Sequence, residues 1–548
     1  MRILLAFLLP AAVLAGNASL GGIVVNDSTG KPVHMALVTL STTDAKPIEA
    51  SVYTDADGAF QFNDVPPGRY YLNAGEFRYQ HAFYGAPTPD RYPAILTLGA
   101  GEIRQGLELR MRPLGAISGL VLDQDGDPLP RVSVQLMVSS WVRGHKTWVQ
   151  RNGAVSNERG EFRIFGIPAG QYVIAAMARG SQTIATRSQV NIGEPEPDLV
   201  FGRTYYPNGT RIEDARPVQL KPGADLRDIV LQMTTTPAAS VTGRVEMPDG
   251  LDESTGVHVS LIPREGRGSP SAVAGGTRFA FPNLPPGRYE AVAVLNGNDA
   301  YIGREEVDLH PGPQELVLPL EKGTRLAGHV SVEGRPADGA TQYEVTLLPG
   351  DGMPVRRNRF SATVGPDGSF SFDAVTRGVW DIGIHPIPKG GYVKSMKLGD
   401  QDVLTEDMTI TPSNSAPLNI VLSTRGGAVT GTVKMPDAAK ANAGLEVSGQ
   451  PPATVLLIPV GKFSQVESFR IERPTEEGGK YELRGITPGS YRIFAFDHLA
   501  RYEVQDPDFL ARIEPLGRPV EVHEGEQIGL DLDLLPAPPT VAEAGAEP

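Results

Sequence analysis

The sequence predicts an all-β chain of five tandem β-sandwich modules, each of about seven antiparallel strands in two sheets. Three observations lead there. A glycine, one variable residue and an aromatic recur at Gly68-x-Tyr70, Gly170-x-Tyr172, Gly287-x-Tyr289, Gly378-x-Trp380 and Gly489-x-Tyr491, a self-similarity at domain length that calls for repeated units rather than one large core. Period-two apolar alternation runs through short segments separated by Asp-, Gly- and Pro-rich turns, and no stretch carries a convincing 3.6-residue period. Gly (62) and Pro (48) together make about a fifth of the 548 residues, which suits many turns between short strands.

Each module opens on an apolar-x-Gly-x-Val strand: Leu20 to Val24, Ile117 to Val121, Val241 to Val245, Leu326 to Val330 and Val429 to Val433. The period of two puts the apolar residue, the glycine and the valine on one face. A glycine on an inner face marks the close approach of something bulky, and the recurring aromatic is the expected occupant. A second strand follows across a turn, as in Val132-x-Val134-x-Leu136. A third leaves an Asp-Gly-type turn, as in Asp57-Gly58-Ala59-Phe60 and Asp367-Gly368-Ser369-Phe370. The Gly-x-aromatic phrase then begins a fourth, and a closing hairpin is expected at the end of each module, for example Leu96-x-Leu98 to Leu107-x-Leu109.

The openings at Gly22, Gly119, Gly243, Gly328 and Gly431 set boundaries near 113, 237, 322 and 425. The expected organisation is a signal peptide at 1–18, modules at 19–113, 114–237, 238–322, 323–425 and 426–536, and a disordered Pro-, Ala- and Glu-rich tail at 537–548. Linkers of a few residues predict modules stacked as a semi-rigid rod.

Arg2, the apolar stretch Ile3 to Leu14 and the small residues at Val13-x-Ala15 and Gly16-x-Ala18 read as a secretory signal, with cleavage after Ala15 or Ala18. The sequence contains no cysteine, so a cysteine-linked lipid anchor, disulfides, zinc–thiolate sites and cysteine nucleophiles are excluded. The expected location is secreted or periplasmic. A net charge of −14 disfavours nucleic acid as a partner.

An x-Gly-x-Val opening, a later Asp-x-Gly-x-Phe turn and a Pro-x-Gly-x-Tyr loop together resemble the carboxypeptidase regulatory-like domain family. The resemblance spans nearly all of 19–536 and is closest at Asp57 to Phe60 with Pro66 to Tyr70, at Pro168 to Tyr172 and at Pro488 to Tyr491. Module four departs from it at Thr376-Arg377-Gly378-Val379-Trp380, where the proline is missing. The resemblance implies a transthyretin- or prealbumin-like, Ig-like seven-stranded sandwich and says little about function. Related sandwiches are grouped with carbohydrate-binding folds.

Chemistry is sparse in the sequence. His523-Glu524-Gly525-Glu526 has the His-x-x-Glu form of a zinc motif, but no histidine follows it, and a polar turn is the expected role. Asp55-x-Asp57-Gly58 and Asp123-x-Asp125-Gly126-Asp127 place carboxylates close together without completing a calcium loop, and tight turns select the same residues. No catalytic residue, metal ligand or cofactor is assigned. The aromatics outside the repeat are the candidate ligand-binding residues: Trp141 and Trp148 in an insertion of module two, Tyr84 in module one, and Tyr205 and Tyr206 in module two. Exposed rings offer stacking faces to sugars or peptides, whereas buried ones plug sandwich ends and joints. The function expected is an exported, non-catalytic binding or scaffold protein of the bacterial envelope, with a polysaccharide or another envelope protein as partner. The alternatives are carbohydrate binding through the module one and two aromatics, and a hydrolase with a site between modules.

Overall fold

The computed structural model describes residues 16–536 apart from 44–48, 87–92, 143–144, 179–197, 252–255, 265–271, 276, 296–300, 335–341, 351–359, 412–415, 435–452, 465, 498 and 500–502. The expected tail at 537–548, and the expected signal peptide up to residue 15, lie outside the described residues.

Alternation along the strands produces five main clusters of buried apolar side chains, drawn from residues 18–111, 117–233, 239–320, 326–422 and 429–532. Each cluster lies between two sheets and is called a unit below. In unit one, Ala18–Asn26 is flanked by Ala59–Val65 and Ile103–Met111 in one sheet. Facing it, Leu37–Thr42 lies between Glu49–Tyr53 and Gly68–Gly75, and Leu96–Leu98 pairs onto the far side of Gly68–Gly75. The remaining units repeat this plan. The fold is all-β and sandwich-built, as the alternation predicts.

Two features of the plan differ from the sequence reading. The opening and closing strands of every unit pair in parallel: Ala18–Asn26 with Ile103–Met111, Gly115–Leu122 with Asp225–Gln232, Ala239–Glu246 with Gly312–Pro319, Thr324–Glu333 with Leu418–Ser423, and Gly427–Lys434 with Gln527–Gly529. The expected closing hairpin is therefore no hairpin. Its first strand joins the Gly-x-aromatic strand in one sheet, and its second crosses to the other sheet beside the opening strand. Period-two alternation reports which face of a strand is buried and is silent on which sheet holds it.

The second difference concerns the opening glycine. A Cβ built on Gly22, Gly119, Gly243 or Gly328 would meet a backbone carbonyl of the closing strand, at 2.0, 1.7, 2.2 and 2.2 Å respectively, and one on Gly431 would meet the carbonyl of Leu530, just past the closing strand, at 1.9 Å. The Gly-x-aromatic ring is absent from these close approaches, so it is not the occupant; the glycine admits the neighbouring backbone. Bulges accompany the crossing, with the closing strands of units one and two carrying left-handed Gly106 (φ +77°) and Asp228 (φ +62°).

A helix, Pro507–Ile513, also escaped the periodicity reading. Asp506 caps it by accepting from the Asp508 N–H at 2.9 Å, with proline in the first turn. Phe509 and Ile513, four apart, bury against Phe494 and Phe496 on the outer face of unit five. Two turns are too short for a period to show.

Linkers between units are tied down by backbone hydrogen bonds, such as Leu114 N–H to the Arg78 carbonyl at 2.8 Å and Gly426 N–H to the Gly390 carbonyl at 3.0 Å. A straight rod does not result. Arg69 of unit one and Glu476 of unit five form an ion pair at 3.1 Å, so the first and last units meet. Among the described residues no helix is long and apolar enough to cross a membrane.

Candidate functional site

The recurring phrase resolves into one local device. Tyr70 Oη donates to the Pro66 carbonyl at 2.7 Å, Tyr172 Oη to Pro168 at 2.8 Å, Tyr289 Oη to Pro285 at 2.9 Å and Tyr491 Oη to Thr487 at 2.6 Å. In unit four the Trp380 indole Nε1–H reaches the Thr376 carbonyl at 2.9 Å and takes the hydroxyl's place. The five rings are 2–6% exposed, so each corner hydrogen bond is shielded from water. In units one and two the ring folds back towards the glycine two residues earlier, where a Cβ on Gly68 or Gly170 would lie 3.3 or 3.6 Å from it, whereas in units three to five the backbone itself favours glycine, with φ +143° at Gly287, +146° at Gly378 and +156° at Gly489. Burial raises the pKa of Tyr172 and Tyr491 above the usual tyrosine range. What the units share is thereby consumed in holding the corner.

Two acidic motifs are likewise spent on local structure. Asp55 Oδ1 accepts from the N–H groups of Asp57 (3.0 Å) and Ala59 (2.8 Å), and Asp123 Oδ1 accepts from Asp125 (2.9 Å) and Asp127 (2.8 Å). In the His-x-x-Glu turn, Glu526 accepts from its own His523 N–H at 2.9 Å, while Glu524 accepts from Ser423 Oγ of unit four at 3.0 Å. That motif is a joint contact between units four and five.

Unit two carries both candidate tryptophans. Val132–Val142 and His145–Val155 form an antiparallel pair of two 11-residue strands at the sheet edge. Trp141 pairs with Lys146 and Ser139 with Trp148, which puts both tryptophans and the lysine on one face as diagonal neighbours. Both rings are half-buried. Lys146 Nζ lies 5.7 Å from the Trp148 ring centroid, within cation–π range.

Beneath this face Trp148 packs on a small outer cluster of Met137, Val173, Ala175 and Tyr205. The expectation of exposed stacking rings is thereby corrected for Tyr205, fully buried at 0% exposure, and for Tyr84, buried in the core of unit one at 7%. Tyr206 packs against the main core of unit two. The sequence reading placed all five aromatics together as candidates. Their separation depends on which sheet face each strand turns outward, and the alternation around Tyr205 is too short to read. Trp141, Trp148 and Lys146 remain as a ledge with accessible ring area and one cation. Lys146 was missed, although its place between the two tryptophans could have flagged it.

This architecture defines a tandem β-sandwich protein whose shared motifs are structural. Within it, residues 19–89 and 116–201 match the family model of the carboxypeptidase regulatory-like domain. No curated protein matches the sequence. Among solved structures, the chain is similar to GBS52, the minor pilin of Streptococcus agalactiae, at 16% identity over 42% of this chain and 99% of that one (TM-score 0.23). It is similar to the shaft pilin SpaA of Lactobacillus rhamnosus GG at 10% identity over 42% and 99% (TM-score 0.20). It is also similar to BcpA, the major pilin subunit of Bacillus cereus, at 11% identity over 56% and 100% (TM-score 0.15).

Proposed function

We propose that this chain is an exported, non-catalytic binding or scaffold protein of the bacterial envelope, built from modules bounded near 113, 237, 322 and 425. The observation that carries the reading is the division of labour between shared and unshared residues. The repeated glycines and aromatics close corners and cores, whereas Trp141, Trp148 and Lys146 lie on the edge hairpin of unit two, whose two 11-residue strands are longer than those of the matching hairpins among the described residues. Export by a signal peptide fits the start of the fold. Ala18 is 1% exposed inside the first strand, which supports cleavage after Ala15 rather than after Ala18. N-terminal sequencing of the secreted protein checks this, and a mature chain beginning at Ser19 or beyond argues against it.

Carbohydrate binding at the tryptophan ledge is the second reading, favoured by two neighbouring rings backed by a packed cluster and flanked by a cation. A glycan panel tests it with the wild type and with the double variant Trp141→Ala/Trp148→Ala. Binding lost in the variant supports it; no binding to any polysaccharide tested overturns it. A hydrolytic site between modules has weaker support, since the cleft where units three and four meet, between Ile302 to Thr324 and Thr376 to Arg377, is lined by a single carboxylate, Glu321, already paired with Arg377 at 3.7 Å.

A further inference from the structure

The tryptophan ledge of unit two sits in the middle of a local charge reversal. From Pro128 to Asn157 the sequence holds no aspartate or glutamate, while Arg131, Arg143, Lys146 and Arg151 all fall within it, in a chain whose net charge is −14. Both 11-residue strands of the edge hairpin lie inside this span. The next carboxylates along the chain, Glu158 and Glu161, are engaged by Arg131 at 3.7 Å and by Arg159 at 3.4 Å. An anionic ligand is therefore repelled by the chain as a whole, yet the hairpin itself contributes no like charge against it.

Strand alternation decides which groups share the ledge. Trp141 lies opposite Lys146, Ser139 opposite Trp148, and Gln150 opposite Met137, so these six occupy one face. Trp148 packs on the cluster that contains Met137, while Ser139, Lys146 and Gln150 are exposed around it. Apolar ring area bordered by a hydroxyl, an amide and an ammonium suits a sugar, which presents an apolar face of ring carbons and a polar rim. Lys146 Nζ is 5.7 Å from the Trp148 centroid. That is beyond the roughly 3.5–4.0 Å of direct carbon contact, so the ammonium borders the stacking face without lying against it. A carboxylate bonded directly to a sugar ring falls at that rim, whereas a sulfate is carried farther out on its ester oxygen.

Resting on the carbohydrate reading of the ledge, we propose that its ligand is a carboxylated polysaccharide. Sugar rings stack on Trp141 and Trp148, and Lys146 Nζ donates to a uronate carboxylate.

The test measures binding of uronate oligosaccharides to the full chain beside the same oligosaccharides methyl-esterified, by calorimetry and tryptophan fluorescence at low ionic strength. Of the three tryptophans Trp380 is 2% exposed, so a fluorescence change reports the ledge. The acid form is expected to bind about fivefold tighter than the ester, with the difference shrinking as salt is raised. Lys146→Gln should abolish the difference and leave ester binding in place, while Arg131→Gln, at the opposite end of the hairpin, should change neither. Equal binding of acid and ester overturns the proposal and leaves the carbohydrate reading standing; this comparison on the wild type needs no variant. Binding of neutral glycans with no uronate bound has the same meaning, and binding of no glycan at all removes the carbohydrate reading as well. Equal losses in Arg131→Gln and Lys146→Gln would reject a defined site in favour of diffuse attraction. Tighter binding of a sulfated glycan or of a polyglutamate peptide would reject the carboxylated sugar as the occupant.

Discussion

The indole Nε1–H of Trp380 donates to the Thr376 carbonyl at 2.9 Å, the bond that a tyrosine hydroxyl makes in the other four units. Two different side chains satisfy one carbonyl because both carry a donor at the far end of a flat ring. Trp380→Phe keeps most of the ring and removes the donor. It should destabilise unit four by about 1–2 kcal/mol, and Tyr70→Phe should weaken unit one by about 1 kcal/mol. Native-state hydrogen exchange resolves the units separately; loss confined to the altered unit is expected, and no loss in either would reject the corner as a stabilising bond.

The opening glycines should tolerate nothing larger. A Cβ on Gly431 would lie 1.9 Å from the Leu530 carbonyl, whereas one on Gly529 would meet nothing within 4 Å. Gly431→Ala should separate the closing strand and cost several kcal/mol, consistent with the severe end of core substitutions, while Gly529→Ala should stay within about 0.5 kcal/mol. Urea denaturation followed by limited proteolysis compares the two, and equal behaviour would contradict the close-approach account.

Alkaline stability should be limited by buried phenols. Burial, with Asp531 beside it, pushes the Tyr481 pKa up to about 12, and Tyr491 is raised by burial as well. The folded state thus holds these protons more tightly than the unfolded chain, whose tyrosines ionise near pH 10. The Tyr481 contribution is complete below about pH 10 and is lost as pH rises towards about 12. Tyrosinate absorbance and circular dichroism should change together in that window for Tyr481, and the Tyr481→Phe variant should shift the unfolding to higher pH.

The meeting of units one and five should be weak. Arg69 and Glu476 are 49% and 61% exposed at their side chains, and such pairs contribute on the order of 0–1 kcal/mol. Arg69→Glu should leave the melting temperature almost unchanged while increasing the radius of gyration in small-angle scattering. An unchanged radius would mean that other contacts hold the ends together.

Much of this arrangement was legible in the sequence. Leu20, Gly22 and Val24 announced an opening strand, Asp57-Gly58 a turn and Gly68-x-Tyr70 a corner, because each is a local rule written in a few residues. What escaped depends on distance. Parallel pairing of Ala18–Asn26 with Ile103–Met111 joins strands some eighty residues apart whose alternation fits either sheet. The Arg69–Glu476 pair spans 407 positions. The ledge was half visible: two tryptophans marked it, but only the pairing of Trp141 with Lys146 places a cation beside the rings, and only burial removes Tyr84 and Tyr205 from it.

Parallel pairing of first and last strands also fixes how each unit carries load. The chain enters at one pole and leaves at the opposite one, so tension drawn along the polypeptide slides the two terminal strands past each other. Their evenly spaced hydrogen bonds then bear the pull together, instead of opening in turn like a zip. Under tension these sandwiches behave as shear-locked links, with the opening glycine seating one strand against the other at the locking point.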